Sequence, residues 1–103
     1  MKKSFDVVYV KWDDAVSGST DWTSMSDTLD WDDDCSSIGH HIGFVLYETD
    51  EYVLLVADIM PMTKDLSLAD TNTFSPFRIP KAWILDRILL GTFHLKKGFK
   101  SVK

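Results

Sequence analysis

The chain has 103 residues, of which 45% are hydrophobic and 13% aromatic, and this is enough for one domain with a buried core. Its net charge of -5 disfavours the strongly basic class of nucleic-acid-binding domains. Cys35 is the single cysteine, so no internal disulfide can form, and we expect a cytoplasmic protein. No apolar run approaches the roughly 18 residues of a membrane span, and none follows the N-terminal lysines, so we expect neither a signal peptide nor a membrane partner.

Charge is distributed unevenly along the chain. Residues 1–60 contain 13 acidic and 3 basic residues, whereas residues 61–103 contain 3 acidic and 8 basic residues, so the two halves carry net charges of -10 and +5. Such asymmetry is typical of a nucleic-acid-binding end or of an acidic partner surface. It is equally the pattern of two halves that lie against each other, within one subunit or between subunits.

The first 36 residues predict a strand and then a short helix. Residues 5–12 are rich in β-branched and aromatic residues on both faces, which indicates a strand covered on both sides, by a helix or by a neighbouring subunit. A turn follows at 17–20, where Ser19 or Thr20 would cap a helix over residues 21–29. The apolar stripe of that helix is expected to form a lid on the barrel, and its members are Trp22, Met25 and Leu29.

The middle of the chain predicts a hairpin and then a loop. Two apolar runs, 42–47 and 52–59, are separated by a short polar turn. Glycines inside the first strand suggest bulges or tight bends there. Residues 61–76 are mostly polar and are expected to form a loop. The glycines inside the first strand of the hairpin are Gly39 and Gly43.

The last apolar block predicts two strands that meet at a corner. Proline lacks a backbone donor and holds the preceding residue extended, so Pro80 ends a strand at 77–79 and a second strand runs over 84–90. A strand that bends and continues is how a small barrel closes. We therefore expect a mainly β fold over residues 1–103: a five-stranded bent barrel of Sm-like or SH3-like type, with one short helix and a basic C-terminal extension at 91–103.

No segment predicts a reaction. Three aspartates match the first, third and fifth ligands of an EF-hand loop, but Cys35 and His41 stand where glycine and glutamate belong, so we expect a solvated acidic loop. Cys35, His40 and His41 are possible metal ligands, yet adjacent histidines on a strand point to opposite faces. With no nucleophile elbow or phosphate loop either, we expect no enzyme, no metal and no cofactor. The aspartates that match the EF-hand ligand positions are Asp30, Asp32 and Asp34.

The second half of the chain offers a candidate nucleic-acid contact. Basic side chains flank the corner at Pro80, and C-terminal lysines are interleaved with Phe93 and Phe99. This composition suits charge and stacking contacts with single-stranded RNA, or with a small nucleotide at a subunit junction. The candidate binding residues are Arg78, Lys81, Lys96, Lys97 and Lys100.

Three segments within about residues 8–90 resemble small proteins of bacteriophages. They are Val10-Lys11-Trp12-Asp13, Glu48-Thr49-Asp50-Glu51-Tyr52 after a glycine-interrupted strand, and Ile79-Pro80-Lys81 with Ile84 behind it. Such proteins resemble Sm-like barrels, which have an N-terminal helical element and five bent strands and often assemble into cyclic rings. This chain instead begins with a strand and lacks an Arg-Gly pair before its last strand, so the resemblance carries over no RNA-binding residues.

Two main functional hypotheses follow, and a third, a metal-dependent hydrolase that uses the cluster from Asp30 to Asp34, predicts a bound divalent metal. The first is a non-enzymatic, phage-type, Sm-like protein that forms a homo-oligomeric ring, because cyclic pairing between copies satisfies the unpaired edges of an incompletely closed sheet. RNA or a small nucleotide is the ligand considered for it. The second is an acidic, phage-encoded interaction protein that binds and inhibits a host factor in the host cytoplasm.

Overall fold

The computed structural model describes residues 4–14, 21–64 and 66–102. Within these ranges the chain is mainly β with one α-helix, as the sequence predicts. The predicted turn at 17–20 and its caps lie outside the described residues. The elements, in chain order, are β1 (Ser4–Asp13), α1 (Met25–Asp34), β2 (Ile38–Glu48), β3 (Tyr52–Val56), β4 (Asp58–Pro61), β5 (Thr71–Phe74), β6 (Phe77–Pro80), a 3-10 turn (Lys81–Trp83), β7 (Ile84–His94) and β8 (Gly98–Ser101).

Six of the strands form one antiparallel sheet in the order β6-β3-β2-β1-β7-β8, and β4 and β5 pair separately as a hairpin. The chain runs through β1, β2, β3 and β6, and β7 then returns to pair with β1. The hydrogen-bonded sheet is open, because β6 and β8 end it without pairing to each other. The predicted mainly β class is therefore confirmed, with six strands in an open sheet where five in a barrel were expected.

The core lies on one face of the sheet. Val8, Val10 and Trp12 point to it from β1, because strand residues two apart share a face. Val53 of β3 and Ile79 of β6 face them and are fully buried, which follows from the curl of the sheet around β1. The remaining members of this core are Val45 and Leu55, with Phe77 and Ile84 packed at its rim.

The other face of β1 is also covered at one end, as its two-sided apolar pattern predicts. Phe5 precedes Val8 by three positions, so strand alternation places it on the opposite face. Phe5 is buried there, and Phe44 and Phe93 meet beside it edge to face with ring centroids 5.3 Å apart. This second apolar cluster joins β1, β2 and β7.

Glycine is required at position 39 because the side chain of Trp12 approaches its backbone closely. It lies opposite Trp12, and a Cβ atom at Gly39 would be 2.6 Å from the indole nitrogen. The irregularity in β2 lies elsewhere, between Val45 and Tyr47. Neither Gly39 nor Gly43 therefore lies at a bulge, one of the two alternatives predicted for them; both glycines give room for a neighbouring strand and its side chains.

The helix differs from the prediction in its bounds and in its packing. It begins after Ser24, whose side chain accepts a hydrogen bond from the backbone N–H of Asp27 at 3.1 Å, and it extends to Asp34. None of its residues is buried, so it does not form the lid expected on the barrel. Asp30, Asp32 and Asp34 lie on this helix, which replaces the solvated loop expected for them.

The predicted corner is confirmed, and the segments around it are more ordered than expected. The strand β6 ends at Pro80, a three-residue 3-10 turn follows, and β7 starts at Ile84. That strand continues through Gly91 to His94 and pairs with β8, so the basic extension is a hairpin. Residues 71–74, predicted as loop, form β5 against β4.

Candidate interaction surfaces

One carboxylate ties together two parts of the sheet that are distant along the strands. The oxygens of Glu48 accept two hydrogen bonds from Arg87, both of 2.9 Å, and one oxygen lies 2.7 Å from Nζ of Lys81. Phe44 lies opposite Val7 and Arg87 opposite Val10, so a flat sheet would separate Glu48 from Arg87 by about seven residue positions, roughly 23 Å. The observed contact therefore requires a sharply curled sheet.

The two cations change the acidity of this carboxylate. The hydrogen bonds from Arg87, and then the one from Lys81, lower the pKa of Glu48 from 4.5 to about 2. The same carboxylate raises the pKa of Arg87. About a third of each of the three side chains is exposed, so the solvent weakens the attraction, and we assign the cluster about 1 kcal/mol of stability.

Aromatic side chains assemble around Trp12 at the other end of the core. Nε1 of Trp12 donates a hydrogen bond of 2.9 Å to Nδ1 of His41, which fixes the His41 tautomer with its proton on Nε2. Phe77 stacks on His41 with ring centroids 4.3 Å apart, and Trp83 lies parallel to Trp12 at 6.3 Å. The group anchors β1, β2, β6 and the 3-10 turn to one another.

The predicted nucleic-acid residues fall at the two opposite edges of the sheet. Arg78 lies on the edge strand β6, where its guanidinium is 4.3 Å from the ring centroid of Tyr52, and Lys81 is held by Glu48. Lys96 and Lys97 lie in the turn between β7 and β8, and Lys100 lies on the other edge strand, β8. The structure thus groups the residues as two cations near β6 and three exposed lysines at the β7–β8 hairpin.

A pair of tyrosines beside Arg78 was not predicted as a site. Tyr47 and Tyr52 have ring centroids 6.3 Å apart, and Tyr47 remains exposed. They flank the polar turn between β2 and β3, where Tyr47 pairs with Leu54 and Tyr52 is its diagonal neighbour, so a hairpin prediction that included the strand register would have found the pair. No local sequence pattern indicates the contact between Glu48 and Arg87, because the two residues are 39 positions apart along the chain.

The candidate metal ligands are separated in the structure. His40 shares a hydrogen bond of 2.8 Å with the Tyr9 hydroxyl on one face of β2, while His41 faces the core, as the alternation of strand side chains predicts. Cys35 follows the helix as its C-cap residue. Within residues 4–14, 21–64 and 66–102, no three His, Cys, Asp or Glu side chains are grouped to hold a metal ion.

A cleft of about 400 Å³ lies between the sheet and the β4–β5 hairpin. Phe5 and Leu46 form its floor on the sheet side, and Ile59 and Thr73 line it from the hairpin. Its lining is mostly apolar, with few polar atoms to orient a substrate. The cleft therefore fits an apolar side chain or chain segment better than it fits a polar metabolite.

Comparison with family models, with curated proteins and with solved structures gave no match for this chain. Among the described residues, no helix has the length and apolar character that crossing a membrane requires.

Proposed function

We propose that this chain is a non-enzymatic assembly protein, in which a small Sm-like β-module forms a homo-oligomeric ring. The observation that carries the proposal is its extended shape. The radius of gyration is 18.2 Å, whereas a compact domain of this length has about 13 Å, and the longest dimension is 60 Å. A small chain that buries little of its surface in one common core buries more of it by contact with neighbouring copies.

The sheet supports a barrel-like module within the ring. Five strands, β1, β2, β3, β6 and β7, follow one another in antiparallel pairing, and the last returns to the first. The contact between Glu48 and Arg87 requires the curl that such a module needs. Two edge strands, β6 and β8, are left for contact with neighbouring copies, which would cover their free backbone groups.

Native mass spectrometry near neutral pH, together with light scattering after size exclusion, tests the proposal. We expect one dominant species at a fixed multiple of 11.8 kDa. A single 11.8 kDa species at every protein concentration would overturn the ring. In that case the acidic helix α1 would favour the other hypothesis, an acidic protein that binds a basic surface of a host factor.

RNA binding is a second candidate function, favoured by Tyr47, Tyr52 and Arg78. Two tyrosines with a guanidinium over one ring offer faces on which unpaired bases stack, and each stacked base contributes about 1–3 kcal/mol. We expect labelled single-stranded RNA to bind in a salt-dependent manner by fluorescence anisotropy. Tyr52→Ala should weaken binding about tenfold, while Lys64→Ala, outside the group, should not; equal effects of the two variants would contradict this role.

A further inference from the structure

The apolar face of α1 is uncovered in the single chain. Leu29 is 66% exposed, Met25 is 87% exposed, and Trp22, just before the helix, is fully exposed. The helix has ten residues, fewer than the roughly 12–15 at which isolated helices become even marginally stable in water. Its apolar face therefore needs a surface to pack against.

The charges of α1 indicate what that surface carries. Asp32, Asp33 and Asp34 occupy the last turn, where the helix dipole disfavours negative charge, and that turn has no basic residue. Asp30 and Asp34, four positions apart, also repel each other across one turn. A partner that brings positive charge to this end of α1 removes the unfavourable interaction with the helix dipole.

The β7–β8 hairpin has the complementary properties. Lys96, Lys97 and Lys100 are exposed, and no ion pair engages them within the described part of the chain. Between and beside them, Phe99 is 53% exposed and Val102 is 60% exposed. Because β8 is an edge strand, a helix lying along it meets side chains from both of its faces.

The two surfaces lie at opposite ends of β1. The segment that carries α1 leaves β1 beyond Asp13, where Asp14 and Ser37 are hydrogen-bonded, while the β7–β8 turn follows His94, which pairs with Ser4. The ten residues of β1 span about 30 Å. The acidic and basic surfaces are therefore kept apart within one chain, and they fit each other between two copies.

We infer that α1 of one copy docks through Met25 and Leu29 onto the β7–β8 hairpin of the next copy, with Asp32 and Asp33 against Lys96, Lys97 and Lys100. This rests on the proposed assembly function and adds the interface. The contact is head-to-tail, since it joins different surfaces of identical chains, and such contacts close into a ring when the rotation between copies permits. It also explains the opposite charges of the two halves of the sequence.

Reciprocal charge reversal tests this interface. The helix variant is Asp32→Lys with Asp33→Lys, because these two aspartates follow Leu29 by three and four positions and so flank the docking face of α1. The hairpin variant is Lys96→Glu with Lys100→Glu. Lysine at the end of α1 suits the helix dipole, so the helix variant does not lose association by losing its helix. The matched control is Asp50→Lys with Asp58→Lys, which makes the same change of charge in two exposed positions outside both surfaces.

Light scattering should report a mass of 11.8 kDa for the helix variant and for the hairpin variant, and the wild-type mass for the control. A chain that carries both reversals should regain the wild-type mass. Circular dichroism of each variant checks that the fold is retained.

Three results would overturn the inference, and they are distinguishable. A monomeric wild-type chain would remove the proposed assembly function and the interface together. An oligomeric wild type whose mass is unchanged in both variants would leave assembly standing and remove this interface, as expected if the copies pair through sheet edges. Loss of mass in each variant without rescue in the combined chain would show that these charges do not face each other.

The apolar part of the contact has its own test. Leu29→Ala should raise the dissociation constant about tenfold or more, because a buried leucine side chain contributes strongly to a small interface. Leu68→Ala, an exposed leucine outside both surfaces, is the matched control and should leave it unchanged. Equal dissociation constants for the two variants would contradict docking through α1.

Discussion

The strand β1 and the helix α1 each have ten residues, yet they are stabilised in opposite ways. The strand lies between β2 and β7 and buries Phe5, Val8, Val10 and Trp12. The helix has no buried residue and carries three aspartates, Asp32, Asp33 and Asp34, at the end where its dipole disfavours negative charge. The comparison teaches that burial, and not regular backbone structure, separates the element that the chain stabilises by itself from the one for which we propose a partner.

The largest expected effect is on the free energy of unfolding, when one apolar side chain is truncated to alanine in the sheet and another in α1. Ile79→Ala removes a fully buried side chain that packs against β1, and it should lower the free energy of unfolding by about 3 kcal/mol. Leu29→Ala, in α1, should change it by less than about 0.5 kcal/mol in the dissociated chain. Urea denaturation followed by near-ultraviolet circular dichroism measures both values, and similar losses would mean that α1 and the sheet share one core.

The same contrast explains what the sequence could predict. The strand β1 and the corner at Pro80 follow from local rules, since β-branched residues favour strands and proline ends them. By contrast, β5 has the polar sequence of residues 71–74, and it forms a strand because β4 pairs with it. The turn to β8 was likewise missed because it lies in a lysine-rich tail whose strand character comes from pairing with β7.

The second effect is on the pH dependence of stability, and it comes from the contact of Glu48 with Arg87 and Lys81 across the curled sheet. Because the pKa of Glu48 is lowered to about 2 in the folded chain, its stabilisation is present above the usual pKa of 4.5 and is lost as pH falls through the interval down to about 2. Glu48→Gln should therefore cost about 1 kcal/mol at neutral pH and lose less stability on acidification than the wild type.

Urea midpoints at several values between neutral pH and pH 2 measure this difference. Glu51→Gln is the control, because it removes the same charge from the neighbouring turn and forms no ion pair among the described residues. Should Glu48→Gln and the wild type lose stability in parallel as the pH falls, the ion cluster contributes nothing to the fold.

The candidate site was harder to predict than the fold because its chemistry depends on long-range curvature. Arg78 and Lys81 are close in sequence, yet one lies over the ring of Tyr52 and the other is paired with Glu48. Their partners precede them by 26 and 33 residues and become neighbours when β2 and β3 curl towards β6 and β7. The lysines of the hairpin are different, since none of them has such a partner among the described residues and their exposure follows from the hydrophilic tail itself.

The smallest effect on the sheet comes from the cap of α1. Ser24→Ala removes the hydrogen bond to the Asp27 amide and should destabilise α1 by about 1 kcal/mol, so that its amides exchange about fivefold faster. The sheet should unfold at an unchanged urea concentration, because α1 contributes no buried residue to it. Ser26→Ala, inside the helix and exposed, makes the same chemical change without removing a cap, and it should not accelerate exchange. If Ser24→Ala lowered the stability of the sheet as much as that of α1, the helix would be part of the same cooperative unit, and its exposed apolar face would no longer call for a second copy.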